Sequence, residues 1–473
     1  MSNPLTSVEP PELWNHFYAL TQIPHPSGGE EAVCRYIFDM ARNLGLEVSM
    51  DTTGGPDFGN VIVNCPASPG YEQAPITTIQ NHVDMVALPA ERKDFPLDLI
   101  LDDTMLRARG TTLGADNGIG VAMALCLMTD RKIIHGPLEL LFTINEEAGM
   151  TGVLGLSEKA LKGRFLINID TQEEGILTIC SAGACRSILR LPLKMEPLPD
   201  NLRAVRITLT GGKGGHSGLE INSGRANVAQ LLARVLYEES KRIGLRVQNF
   251  TSGTVMNAIP GEGFTTIVIE QEELSLLRSS LSGWETAFRK EFGSCDGPLR
   301  FVLDETIALP ESAVSTDATR KVMAFLLSLP HGVYTMSSDI PGLVETSSDV
   351  AIVCTTPSEL TVTVSQRSMT DPSLDAVVTQ CEAVARLAGA EWEHIGKSYG
   401  WKPDMASPLL SCCRHAYRET FNTEPRATGL HGMLECGFIK AKYPDMDVIS
   451  FGPTILDAHA PTKADYVPPV ASD

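Results

Sequence analysis

Residues 76–80, 138–144 and 165–169 are short, largely apolar runs, and each is followed within a few residues by an acid or an imidazole. Strands buried on both faces read this way, and such strands belong to parallel sheets covered by helices. Between the first two runs, Ile119, Ala122, Met123, Cys126 and Leu127 recur at helical spacing. Strand, helix and strand in this order predict an α/β sheet. Further upstream, Ser27 and Glu30 have capping-box spacing and are expected to open a helix running to about Asn43. Gly45 then stands where a glycine after a helix C-terminus belongs.

The texture changes after about Arg186. Residues 203–210 and 359–365 alternate polar with apolar, as in a half-exposed sheet. Between them, Val228, Leu231, Leu232, Val235 and Leu236 form one apolar stripe on a helix expected over 224–242. A buried-type strand returns at 448–451. The chain has 473 residues, more than one ordinary core needs. The expected organisation is therefore a discontinuous α/β domain, 1–186 with 396–473, carrying an inserted α+β domain, 187–395.

With 38 Lys and Arg against 58 Asp and Glu, the net charge is -20. That surface disfavours nucleic acid and anionic membranes as partners. No run reaches the roughly 18 apolar residues of a membrane span. The start, Met-Ser-Asn-Pro-Leu, lacks the basic and apolar regions of a secretory signal. The 11 cysteines are scattered with no Cys-x-x-Cys pair, which reads as reduced thiols in the cytoplasm.

The chemistry gathers at strand ends, the edge where open α/β sheets bind ligands. In Asn81-His82-Val83-Asp84 the imidazole and the carboxylate share a face, and such an acid fixes the tautomer of a metal-binding histidine. Gly114-Ala115-Asp116-Asn117-Gly118 puts an acid between glycines at a strand-to-helix turn; helix capping by Asp116 is the competing reading. Asn145-Glu146-Glu147 ends a buried run with two adjacent carboxylates, which repel unless cations or protons neutralise them. Asp170 and Asp457-Ala458-His459 complete the strand-end groups, and His216 lies in the middle domain. Two histidines and three carboxylates, besides Glu146 and Asp84, suit zinc, or manganese or cobalt. Five such ligands with one shared suffice for two ions about 3.5–4 Å apart.

The order of these motifs resembles the aminoacylase/carboxypeptidase superfamily of co-catalytic zinc peptidases. The resemblance covers nearly the whole chain and is strongest to the aminoacyl-histidine dipeptidase branch. Ile23-Pro24-His25-Pro26-Ser27, Gly215-His216-Ser217-Gly218-Leu219-Glu220-Ile221 with Gly224-Arg225-Ala226-Asn227, and Leu434-Glu435-Cys436-Gly437 carry it. It implies a zinc-peptidase catalytic domain with a mixed, mainly parallel sheet flanked by helices, plus an inserted lid. It further implies that His82 and Asp170 hold one zinc, Glu147 and His459 the other, and that Asp116 bridges them. Glu146 would be the general base for hydroxide attack on a dipeptide carbonyl, Asp84 would orient His82, and His216 would stabilise the oxyanion or grip the substrate. The resemblance also places Asn257 and Arg367 at the substrate, Arg367 on its C-terminal carboxylate, and implies a cis peptide between Asp116 and Asn117. It leaves a homodimer open. Three stretches depart from the branch: Ala460-Pro461-Thr462-Lys463-Ala464, Ser181-Ala182-Gly183-Ala184 and Ser347-Ser348-Asp349-Val350. None removes a ligand, and the last bears on side-chain preference. The competing readings are an N-acyl amino acid deacylase or other small-amide hydrolase on this fold, and a non-catalytic metal-dependent binding protein.

Overall fold

The structure is a computed structural model, and it describes residues 3–87, 95–102, 105–458 and 465–466. The chain forms two compact units. The first is Met1–Cys180 with Trp401–Gly429 and Leu434–Asp473; the second is Ser181–Gly400 with Leu430–Met433. The expected division differs at 181–186, 396–400 and 430–433. Those segments bond to one another, Ser398 N donating to Ala184 O and Ala182 N to Leu430 O and Gly432 O, and residues 183–186 pair with 365–368 in the second unit's sheet.

The first unit begins with α1 (Pro11–Leu20) and α2 (Glu31–Asn43), then β1 (Glu47–Met50), β2 (Val61–Cys65) and β3 (Thr77–His82). A hairpin of β4 (Leu99–Asp102) and β5 (Met105–Ala108) precedes α3 (Ala115–Thr129), β6 (Leu138–Thr143), β7 (Phe165–Asn168) and β8 (Ile176–Ser181). The main sheet runs β1-β2-β6-β3-β7, then Asp447–Ser450, β8 and Arg426–Leu430. Its centre is parallel: β6 with β3, β3 with β7, and β7 with the returning strand Asp447–Ser450. The flanks are antiparallel, so the sheet is mixed. All six residues of β6 are buried, as its apolar run requires.

The α3 helix is buried more broadly than one stripe, with Val121, Ala122, Ala124, Leu125 and Met128 buried and Met123, Cys126 and Leu127 only partly so. It packs on α1 and β3. A Cβ at Gly120 would come within 2.6 Å of Asn117 Oδ1, Asn81 Oδ1 and Ile169 O, so only glycine lets the helix lie this close to the strand ends. The peptide between Asp116 and Asn117 is cis.

The α2 helix ends as expected, with Gly45 at φ +74° behind it. Its start does not follow the capping-box expectation. Residue Glu30 occupies the N-cap position without a side-chain bond to the helix, because both Ser27 and Glu30 bond elsewhere.

The second unit is built on a nine-stranded antiparallel sheet that includes Leu202–Thr210, Val344–Thr355, Glu359–Ser368 and Gly183–Pro192. Among its helices, the one expected over 224–242 is Val228–Glu239, shorter because the Asn227 side chain caps it by accepting from Gln230 N at 3.1 Å. The stripe Val228, Leu231, Leu232, Val235 and Leu236 is fully buried in this unit's core. No described helix is long and apolar enough to cross a membrane.

Candidate functional site

The carboxyl ends of β3, β6 and β7 and the start of α3 bring six of the expected residues into one cluster: His82, Asp84, Asp116, Glu146, Glu147 and Asp170. His82 closes β3, and its Nε2 lies 3.2 Å from both Asp116 Oδ1 and Asp170 Oδ1. On the other side of the ring, Nδ1 faces Asp84, 3.0 Å from its main-chain oxygen and 3.4 Å from Oδ1. Ligand-type atoms of His82, Asp116 and Glu147 lie within 4.8 Å of one another. Glu146 and Glu147 sit on the turn after β6. His459 lies outside the described residues.

Asp84 does more than face the imidazole. Its Oδ1 accepts from Glu146 N at 2.9 Å, and its Oδ2 from Glu147 N at 3.2 Å and Ser27 Oγ at 2.8 Å. Burial works against its charge, yet the bonds from His82, Ser27 and Glu146 hold its pKa below the usual carboxylate range. Burial alone would likewise depress the His82 imidazole. The carboxylates of Asp170, Asp116 and Asp84 override that and hold it well above its ordinary value.

The other acids are pushed the opposite way. Part of Glu146 is open to solvent, but dense packing around its carboxyl raises the pKa well above normal. Asp170, Glu435 and Glu147 add to this against the pull of His82. Burial and Asp116 raise Asp170 to about 6. Acids crowded this way around a single imidazole are a concentration of negative charge that divalent cations neutralise. The donor chemistry, imidazole with carboxylates and no described thiol among the close ligand atoms, fits zinc, manganese or cobalt.

Several residues of this site were not anticipated. Gln172 Nε2 donates to Asp116 Oδ2 at 2.6 Å, and Asn117 Nδ2 to Asp170 Oδ1 at 2.9 Å. Both carboxylates are thereby aimed by side-chain amides, one from Asn117 within the Gly114–Gly118 motif and one from Gln172, which no motif marks. Glu435, quoted above only within a signature, is fully buried. Its Oε2 accepts from Gln80 Nε2 and from Thr143 Oγ1 at 2.7 Å, while Oε1 has no hydrogen-bond partner. Burial raises this acid to about 8.

A pH dependence follows for metal-free protein. Between an unfolded-state value near 4.5 and a folded-state value of about 8, Glu435 binds its proton only in the folded state. Its contribution to stability is therefore full at low pH and is lost as pH rises through that window. Thermal melts of Glu435→Gln against wild type, both stripped of metal, are expected to show a difference in Tm that grows in the variant's favour from pH 5 to pH 8. A constant difference would contradict the buried acid.

The second unit gathers its own polar cluster. His216 lies in the two-residue strand Gly215–His216, paired with Ala258–Ile259, and Ser217 N donates to Asn257 O at 2.8 Å. Arg367, at the end of Glu359–Ser368, is 3% exposed, and its Nε has no partner. Burial, then Arg186, lowers it to about 10. Burial and Arg367 lower His216 to about 4 and His431 to about 3, so both imidazoles are neutral near pH 7. His431 Nε2 lies 2.7 Å from Ser347 Oγ, which puts one of the departing serines beside this cluster. His431 was also missed, since it is far along the chain from the other three.

Comparison with known proteins fits this picture. The model of peptidase family M20/M25/M40 matches residues 78–468. The cytosol non-specific dipeptidase of Escherichia coli K12 is 36% identical over 470 residues, covering 98% of this chain and 95% of that protein. The crystal structure of aminoacylhistidine dipeptidase from Vibrio alginolyticus superposes with a TM-score of 0.87 at 35% identity, over 98% of this chain and 94% of that one. The aminopeptidase PepT of Bacillus cereus shares the fold at a TM-score of 0.58 and 16% identity, over 96% and 93% of the two chains.

Proposed function

The chain belongs to peptidase family M20/M25/M40 and is a metallopeptidase, and from that premise we propose that it hydrolyses dipeptides with free termini, aminoacyl-histidine dipeptides among them. The observation that carries this reading is the cluster of His82, Asp116, Glu147 and Asp170 beside Glu146 at the carboxyl edge of the sheet. The names of the E. coli and Vibrio relatives support dipeptides as the substrate class. The first of them also supports a cytoplasmic location.

His82 and Asp170 would hold one metal ion and Glu147 with His459 a second, with Asp116 shared between them. Two zinc ions, or manganese or cobalt, would supply Lewis acidity and bring the pKa of water towards neutrality. Glu146 takes the proton of the attacking water and delivers it to the leaving amine, a role that suits its raised pKa. Asp84 keeps His82 oriented and seats the turn that carries both glutamates. His216, neutral near pH 7, offers an uncharged donor to the developing oxyanion, while Asn257 and Arg367 bind the substrate.

A substrate panel tests this reading: Xaa-His and other dipeptides, tripeptides and N-acyl amino acids. Each is assayed with native protein, after chelation, and after zinc is returned. Dipeptide cleavage that chelation abolishes and zinc restores is the expected result. Preferential cleavage of N-acyl amino acids would make the protein a deacylase instead, and absence of any cleavage would leave only metal-dependent binding.

A further inference from the structure

The segment Pro26-Ser27-Gly28-Gly29-Glu30 has a place in the structure that neither helix capping nor the reaction described above explains. It runs alongside the residues after β3: Ser27 N donates to Met85 O at 3.2 Å and Met85 N to His25 O at 3.1 Å. From there two side chains reach the turn that bears the paired acids. Ser27 Oγ donates to Asp84 Oδ2 at 2.8 Å, the oxygen that also accepts from Glu147 N. Glu30 Oε1 accepts from Asn145 N and from Gly28 N, each at 3.0 Å.

The turn needs such anchors. Asn145 has φ +54° and Met150 φ +56°, a left-handed conformation that costs a residue with a side chain free energy unless its surroundings enforce it. The three consecutive N–H groups of Asn145, Glu146 and Glu147 all point at buried carboxylates, the first at Glu30 and the next two at Asp84. Glu30 is completely buried, and its Oε2 has no hydrogen-bond partner. A buried carboxylate that leaves the adjacent helix uncapped yet bonds a loop residue 115 positions away is spent on that loop.

We propose that Glu30, with Ser27, is a positioning residue for catalysis: it fixes the Asn145–Glu147 backbone so that the two glutamates are presented in register. The inference rests on the proposed role of Glu146, and the displacement of a reacting group by about 1 Å can cost 10²-fold in rate. What matters is an acceptor oxygen at Oε1, not the charge. Glutamine retains that oxygen and alanine does not.

The test compares Glu30→Ala, Glu30→Gln and Ser27→Ala for kcat, KM, Tm and amide hydrogen exchange of residues 145–147. Glu30→Ala is expected to lose about thirtyfold or more in kcat with KM within about threefold, and to exchange these amides at least about tenfold faster. Glu30→Gln is expected to stay within about threefold of wild type in kcat and exchange, even where its Tm falls because a buried amide N–H replaces Oε2. Ser27→Ala, a deletion of one hydroxyl, carries the test if Glu30→Ala does not fold. It is expected to lose about tenfold in kcat and to speed exchange at Glu147. Equal losses in the Gln and Ala variants, or unchanged exchange in Ser27→Ala and Glu30→Ala, would overturn the proposal. The exchange readout does not depend on which residue is the base, whereas an active Glu146→Gln would count against that role alone.

Discussion

Glu146→Gln is expected to lower kcat by about 10²–10⁴-fold, the usual contribution of a general base, while KM and bound metal stay near wild type. The amide is isosteric with the acid but cannot take a proton. The turn is expected to keep its shape, because the contacts that seat it come from the main chain: Glu146 N and Glu147 N bond to Asp84, and Asn145 N bonds to Glu30. The surroundings prepare the acid for the task. Burial, then Asp170, Glu435 and Glu147, make its proton harder to lose than that of an exposed glutamate. Steady-state kinetics with a dipeptide, together with metal analysis of the same sample, check this. Retention of more than about a tenth of the wild-type kcat would remove Glu146 from the role.

Arg367→Ala is expected to lower kcat/KM for free dipeptides by about 10- to 150-fold, which is the loss of charge-assisted hydrogen bonds worth about 1.5–3 kcal/mol. A C-terminally amidated dipeptide is expected to be a poor substrate of the wild type. The burial of its guanidinium sets Arg367 apart from a surface arginine. An arginine in a surface ion pair is solvated, but Arg367 is 3% exposed and forms no ion pair among the described residues. Its charged neighbours are Arg186 and the buried Asp349, which acts on it without forming an ion pair, and the imidazoles nearby, His216 and His431, are neutral near pH 7. A buried cation so placed suits an incoming carboxylate, which its planar fork grips with two bonds. Equal turnover of the amidated and free-acid forms of one dipeptide would contradict the clamp.

The strands of the central sheet were legible because a strand buried on both faces has a distinctive composition. His82, Glu146, Glu147 and Asp170 at the ends of these strands, and Asp116 at the start of α3, could be picked out as candidates because ligands bind at the carboxyl edge of such a sheet. What the chain did not reveal locally is what depends on contacts between distant segments. Ser27 and Glu30 have the spacing of a capping box, and only the approach of residues 84 and 145 shows that their side chains are engaged elsewhere. Gln172, Glu435 and His431 fill their positions through partners 56, 355 and 84 residues away, and no local pattern encodes such pairs. Helix ends were shifted for a similar reason: Asn227 intercepts the expected start at 224 with its own side chain.

The proposed site is a pair of metal ions shared through Asp116, with Glu146 beside them. Anomalous diffraction from crystals loaded with zinc tests it most directly. Two peaks are expected, with His82 and Asp170 at one, Glu147 and His459 at the other, and Asp116 touching both. A single peak, or either His82 or Asp116 turned away from the ions, would contradict it.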